Sequence, residues 1–264
     1  MASTDAGVTG PTRARIDEKT LRTDRWWIYP VTTFVVFTAF VIYATIRAFM
    51  GRDYYSAPYL SPFYSPCLGD CVEGSSDFGQ PFGWFPFSAA LIILIFPLGF
   101  RLTCYYYRKA YYRAFWLSPP ACAVAEPHTS YSGETRFPLI LQNIHRWFWY
   151  AAVLVACVLS FDTVLAFRNE DKEWGHMGLG TLLMLVNIVF IWLYTLSCHS
   201  CRHVLGGRLR HFSKHPVRYR MWTWVSRLNT RHAAYAWISL FSVALVDLYV
   251  YLLATGTIDD VRFF

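Results

Sequence analysis

The chain has 264 residues, 55% of them hydrophobic and only 16% charged, and carries a net charge of +7. Soluble domains hold about 25% charged residues, so the composition argues against a soluble globular protein. The positive charge sits between long apolar runs, which argues against a nucleic-acid binder.

Residues 1–26 are polar and basic and lack the apolar core of a cleavable signal peptide; they are expected to form a cytoplasmic N-terminal segment. A bilayer core of about 30 Å needs roughly 20 apolar residues in helical form. The first run of that length is Trp27–Arg47. A loop follows with Cys67-Leu-Gly-Asp-Cys71, where a local Cys67–Cys71 disulfide is expected on the oxidising side of the membrane. The second run, Phe85–Tyr105, contains Pro97 and, one turn from its end, Arg101. Beyond it Tyr105–Trp116 mixes aromatics with Arg and Lys and suits a helix lying on the membrane surface. Ser118-Pro119-Pro120-Ala121-Cys122 then breaks any helix. The remaining runs are Trp147–Phe167, Met177–Ser197 and Ala233–Leu253, followed by a tail over 254–264. No internal repeat or low-complexity segment is evident.

Lys and Arg set the orientation. Segments 1–26, 106–146 and 198–232 hold eighteen of them, and the alternate segments only Arg52, Arg168, Lys172 and Arg262. The N-terminus is therefore expected in the cytoplasm and the C-terminus outside. The expected fold is an all-α integral membrane protein with five transmembrane helices over 27–253, helices 2–5 bundled around an inner-face redox centre. Asp247, deep in the fifth helix, is expected to pair with Arg47 or a polar neighbour.

The chemistry gathers at the inner ends. Cys104, His145, Cys198 and His232 each lie within about two residues of one interface, on four helices, which is how bundles build cofactor sites. Cys122 and Cys201 lie nearby. The expected ligands are His145 and His232, one of Cys198 or Cys201, and one of Cys104 or Cys122. Two His and two Cys suit a Rieske-type [2Fe–2S] cluster; two histidines alone would clamp haem b. A structural zinc site is a further possibility. Arg101, Tyr105, Arg146, Trp147 and Arg231 lie at the same level and offer hydrogen-bond donors and aromatic rings for a quinone.

The segments Cys104-Tyr-Tyr-Tyr-Arg-Lys-Ala-Tyr-Tyr-Arg113, Gln142-Asn-Ile-His-Arg146 and Cys198-His-Ser-Cys-Arg-His203 resemble the membrane-anchor subunit of succinate dehydrogenase/fumarate reductase in its actinobacterial form, over most of residues 20–255. The resemblance implies a respiratory complex in the bacterial plasma membrane. An FAD flavoprotein would oxidise succinate, an iron–sulfur subunit would dock on the inner face, and this chain would pass electrons to menaquinone. Di-haem anchors of this kind take histidines from both membrane faces, whereas His176 is the only outer histidine here. No dinucleotide fingerprint or ferredoxin-like cysteine run is present, so succinate chemistry falls to the partner chains. The competing reading is a transporter or channel with a structural Cys/His metal site.

Overall fold

The computed structural model describes residues 22–68, 76–127, 139–207 and 209–264. The described residues are mainly helical: α1 (Ile28–Met50), α2 (Ala90–Ile93), α3 (Ile95–Leu102), α4 (Tyr105–Ala110), α5 (His145–Leu165), α6 (Leu179–Leu196), α7 (His199–Gly206), α8 (Pro216–Asn229) and α9 (His232–Ala254). Helices α1, α5, α6 and α9 are each long and apolar enough to cross a membrane. A fifth span exists if Ala90–Leu102 and Tyr105–Phe115, bent by 69°, are counted as one.

Hydrophobic burial does not drive helices together in lipid, so close backbone approach and polar ties must do so. Helix α6 packs on α9 and α5, and α3 packs on α5. Gly99 permits the α3–α5 approach: a Cβ there would stand 2.2 Å from Phe148. The Trp149 indole donates to the Thr195 carbonyl (2.9 Å), joining α5 to α6. Helix α1 ends at Gly51, whose φ of +63° is the left-handed conformation that glycine adopts without strain.

The expected run Phe85–Tyr105 is helical only from Ala90. Pro86 disfavours helix at Phe85, and residues 85–89 are irregular, following a turn over 81–84. Pro97 has no N–H for the Ile93 carbonyl, and the helix breaks at Leu94. At 1.5 Å per residue, Ala90–Leu102 spans about 20 Å, short of a bilayer core. The chain then turns sharply at Cys104, which is extended (φ −70°, ψ 133°) and begins α4.

The Arg47–Asp247 pair is present. Asp247 is fully buried and accepts from Arg47 Nε (2.8 Å) and Nη2 (3.2 Å), from the Tyr43 hydroxyl (2.5 Å) and from the Ser61 hydroxyl. It thereby ties α1, the loop after it and α9. Removing one partner of a buried pair leaves the other charge uncompensated, at about 3–5 kcal/mol. Asp247→Ala should therefore lower the thermal stability of the assembled protein sharply, while Arg47→Met with Asp247→Leu should recover most of the loss. Equal losses in the single and double variants would contradict this.

Cys67 is disulfide-bonded, and Cys104, Cys122, Cys157, Cys198 and Cys201 are free. Cys71 lies outside the described residues.

Candidate functional site

At one end of the bundle α3 and α6 finish while α5 and α9 begin. His145 is the first residue of α5 and His232 the first of α9. Cys104 and Cys198 stand at the two breaks, α3 to α4 and α6 to α7, both in extended conformation. The expected convergence of these four is therefore real, and its geometry is a closed ring. Thr103 Oγ1 is 2.7 Å from His145 Nδ1, and His145 Nε2 is 3.2 Å from Cys198 Sγ. Ser197 Oγ is 2.6 Å from His232 Nδ1, and His232 Nε2 is 3.7 Å from Cys104 Sγ. Each Cys is joined by a peptide bond to the hydroxyl residue that holds the opposite histidine.

Each hydroxyl has one hydrogen and two neighbours that can take it. Thr103 Oγ1 lies 2.7 Å from the Gly99 carbonyl and 2.7 Å from His145 Nδ1; Ser197 Oγ lies 3.1 Å from the Tyr194 carbonyl and 2.6 Å from His232 Nδ1. With both hydroxyl hydrogens on the carbonyls, the hydroxyls accept from the Nδ1–H of the two histidines. Both Nε2 atoms are then left with lone pairs aimed at a cysteine sulfur. Metal-ligating histidines are held in this way, with the second ring nitrogen donating to a fixed acceptor. Each imidazole is also stacked: Phe100 lies 5.0 Å from His145 at 10°, and Tyr194 lies 5.0 Å from His232 at 14°. Burial pushes the Cys198 thiol up to about 12, so without a cation it is neutral and unreactive.

The ring residues line a cavity of about 420 Å³ together with Tyr105, Tyr106 and Arg108. Among the described residues no three His, Cys, Asp or Glu side chains are grouped closely enough to hold one metal ion. The single compact four-ligand centre expected from the sequence is replaced by two His–Cys pairs. The donors that converge are two imidazoles and two buried thiols, arranged as the pairs His145–Cys198 and His232–Cys104.

Two candidate cysteines drop out. Cys122 is exposed, and its carbonyl accepts from Arg22 (2.7 Å) on the far side of the Pro119 turn. Cys201 is buried in the core with Val225 and does not line the ring cavity. The quinone candidates disperse. Tyr105 lines the ring cavity. Arg146 and Trp147 line an adjoining basin of about 840 Å³ with Arg202 and Trp222, and His145 and His199 border both it and the ring cavity. Arg231 is exposed and lines neither. Arg101 turns inward to a third space, an apolar slot of about 360 Å³ walled by Phe40, Leu98, Phe100, Tyr194 and Val243. Its Nη1 donates to the Tyr107 hydroxyl (2.8 Å), the Ser239 hydroxyl (3.1 Å) and the Ala236 carbonyl (3.2 Å). Its guanidinium lies 4.9 Å from the Tyr194 ring centre, and its Nε and Nη2 make no hydrogen bond among the described residues.

Sequence reasoning missed Phe100, Thr103, Tyr194 and Ser197. A signal was there: Phe100-Arg-Leu-Thr-Cys104 and Tyr194-Thr-Leu-Ser-Cys198 are one five-residue pattern used twice. In both copies the first ring stacks on a histidine, the hydroxyl orients one, and the sulfur faces the other.

The family model of the actinobacterial succinate dehydrogenase subunit SdhC matches residues 28–256. The chain belongs to that family. It is similar to a chain of the Mycobacterium smegmatis Sdh1 complex in the apo form, with 59% identity over 98% of this chain and 99% of that one and a TM-score of 0.85. No curated protein matches it. As an SdhC-family subunit it is a membrane component of a succinate dehydrogenase complex, and the transporter reading is set aside. The ring lies inside the matched region.

Proposed function

We propose that this subunit is the quinone-reducing membrane anchor of a succinate:quinone oxidoreductase, receiving electrons at the Cys/His ring from a docked iron–sulfur subunit whose flavoprotein partner oxidises succinate. The observation that carries the reading is the closed ring, with both imidazoles held so that their free nitrogens face sulfur. Five spans, the second made of Ala90–Leu102 and the segments flanking it, would put the ring at the inner face of a bacterial plasma membrane. The N-terminus is then inside and the C-terminus outside. The excess of Lys and Arg in the segments at the ring end supports this orientation.

His145, His232, Cys104 and Cys198 would hold a Rieske-type [2Fe–2S] cluster. Such a cluster exchanges one electron at a time, and its potential lies above that of an all-cysteine centre because histidine replaces two thiolates. The chain's own residues do the rest. Thr103 and Ser197 keep the Nδ1 protons in place, and the apolar packing of Phe100, Tyr107 and Leu240 excludes water. The slot takes a quinone, menaquinone in our reading, with the free Nε and Nη2 of Arg101 donating to a ring carbonyl. Basic residues of the inner basin, Arg146 and Arg202, face the docking partner. Haem b clamped by His145 and His232 is the alternative occupant of the ring.

A complex stripped of this subunit should still oxidise succinate with a soluble dye and should lose succinate-dependent reduction of a menaquinone analogue. Quinone reduction that persists without the subunit would overturn the reading. A tag placed after Phe264 should be reached by antibody in right-side-out vesicles; reaching it only in inverted ones would reverse the orientation.

A further inference from the structure

Helix α1 meets the second span at two separate places. Its N-terminal half packs on the π-helical turn Tyr111–Phe115: Phe34 lies 4.9 Å from Phe115 and Phe37 lies 6.0 Å from Tyr111. Near its other end, Ala48 shares an apolar cluster with Ala90 of α2. Between these contacts the break at Leu94 and the bend at Cys104 set α3 apart, and α3 packs on α5 instead. The apolar slot occupies the gap. Its α1 wall runs from Phe40 to Phe49, about 14 Å at 1.5 Å per residue, and Ala44 and Ala48 keep it open by presenting only methyl groups. Val41, Ile95 and Leu98 line the slot and are also 45%, 54% and 53% exposed, so the slot opens sideways between α1 and α3. Pro62 and Phe63, both buried, cover the end remote from Arg101. Among the described residues Arg101 is the only charged one in its lining.

We infer that the opening between α1 and α3, rimmed by Val41, Ile95 and Leu98, is a lateral window through which a prenyl quinone enters from the lipid, and that its tail stays in the window while its ring is bound at Arg101. The inference rests on the proposed reading of Arg101 as the quinone donor. An apolar tail gains no hydrophobic free energy by moving from lipid into the slot, so geometry decides where it lies. Tyr107, Ser239 and Ala236 occupy the inner side of the Arg101 guanidinium. A ring bound to the remaining donors therefore sits on the slot side, and its substituent runs toward the half-exposed rim. A slot with one cation at its inner end, a covered outer end and an open apolar flank suits a molecule with one small acceptor head and a long apolar tail. A phospholipid can send an acyl chain through the window, but that chain carries no acceptor for Arg101. Pro97 has a role here: by breaking the helix at Leu94 it sets α3 away from α1.

The test is Leu98→Trp in the complete complex, embedded in phospholipid vesicles, with succinate reducing two menaquinone analogues that share a ring and differ only in having or lacking a prenyl tail. Partitioning into lipid is the same for wild type and variant, so each analogue is its own reference. The ratio of kcat/KM for the tailed over the tailless analogue should fall roughly 5- to 150-fold in Leu98→Trp, the range expected for overpacking a filled site. Ile46→Trp, on the same lipid-facing side of α1 at 56% exposure but outside the slot lining, should leave that ratio unchanged. An unchanged ratio in Leu98→Trp would leave the window to lipid acyl chains and overturn the inference, as would an equal fall in Ile46→Trp. If Arg101→Leu left both analogues at wild-type kcat/KM, the reading of Arg101 beneath the inference would fall instead.

Discussion

Replacing both Cys104 and Cys198 by alanine should erase the ring centre from the intact complex and abolish succinate-dependent quinone reduction, while succinate oxidation by a soluble dye continues. The expectation follows from the ring. Each cysteine faces one histidine Nε2, at 3.7 and 3.2 Å, and no other cysteine lines the cavity. Cys122→Ala and Cys201→Ala should leave the centre in place, because Cys122 is exposed on the loop beyond α4 and Cys201 packs in the core. The double variant should also be less stable than wild type. A centre whose ligands come from four helices contributes to folding as well as to electron transfer. If the centre survives loss of both thiols with a haem absorption band, the histidines alone hold it.

The second large effect is expected at Arg101. Its Nη1 is committed to Tyr107, Ser239 and Ala236, which fix the guanidinium at the wall of the apolar slot. The remaining donors are free for an acceptor in the slot. A hydrogen bond from a charged donor contributes about 1.5–3 kcal/mol, so Arg101→Leu should lower kcat/KM for the menaquinone analogue roughly 10- to 150-fold. Dye-linked succinate oxidation and the spectrum of the ring centre should not change. Arg101→Lys should restore little, since lysine presents a point charge and cannot keep three fixed bonds while offering two more. Equal loss of both activities would show that Arg101 acts through the packing of α3 on α9.

Much of this was legible in the sequence because depth in a membrane is a one-dimensional quantity. Counting apolar residues located the five runs and put Cys104, His145, Cys198 and His232 at one level. It also put Arg47 and Asp247 where they could pair. What counting cannot supply is azimuth. Arg101 and Tyr105 are one helical turn apart in sequence, yet the 69° bend at Thr103–Cys104 sends them to different cavities. Arg146 and Trp147 share the depth of His145 and line a basin that His145 borders on its other side, away from the slot. The second helix starts later than its apolar run for a local reason: Phe85 and its neighbours are apolar enough to count as helix, and Pro86 disfavours it there. The paired pentapeptide was visible in the letters. Its meaning needed the crossing of hydroxyl and sulfur to opposite histidines, which is a property of the bundle.

The central claim is that the ring of His145, His232, Cys104 and Cys198 holds a redox centre bridging histidine and cysteine. Pulsed paramagnetic resonance of the succinate-reduced complex measures this directly, because nitrogen bound to a paramagnetic iron cluster gives resolved hyperfine couplings. The account predicts a [2Fe–2S] signal coupled to two histidine nitrogens in the wild type and missing in Cys104→Ala/Cys198→Ala. A complex whose cluster signals all lack nitrogen coupling, or whose ring carries a bis-histidine haem that persists in that variant, would contradict it.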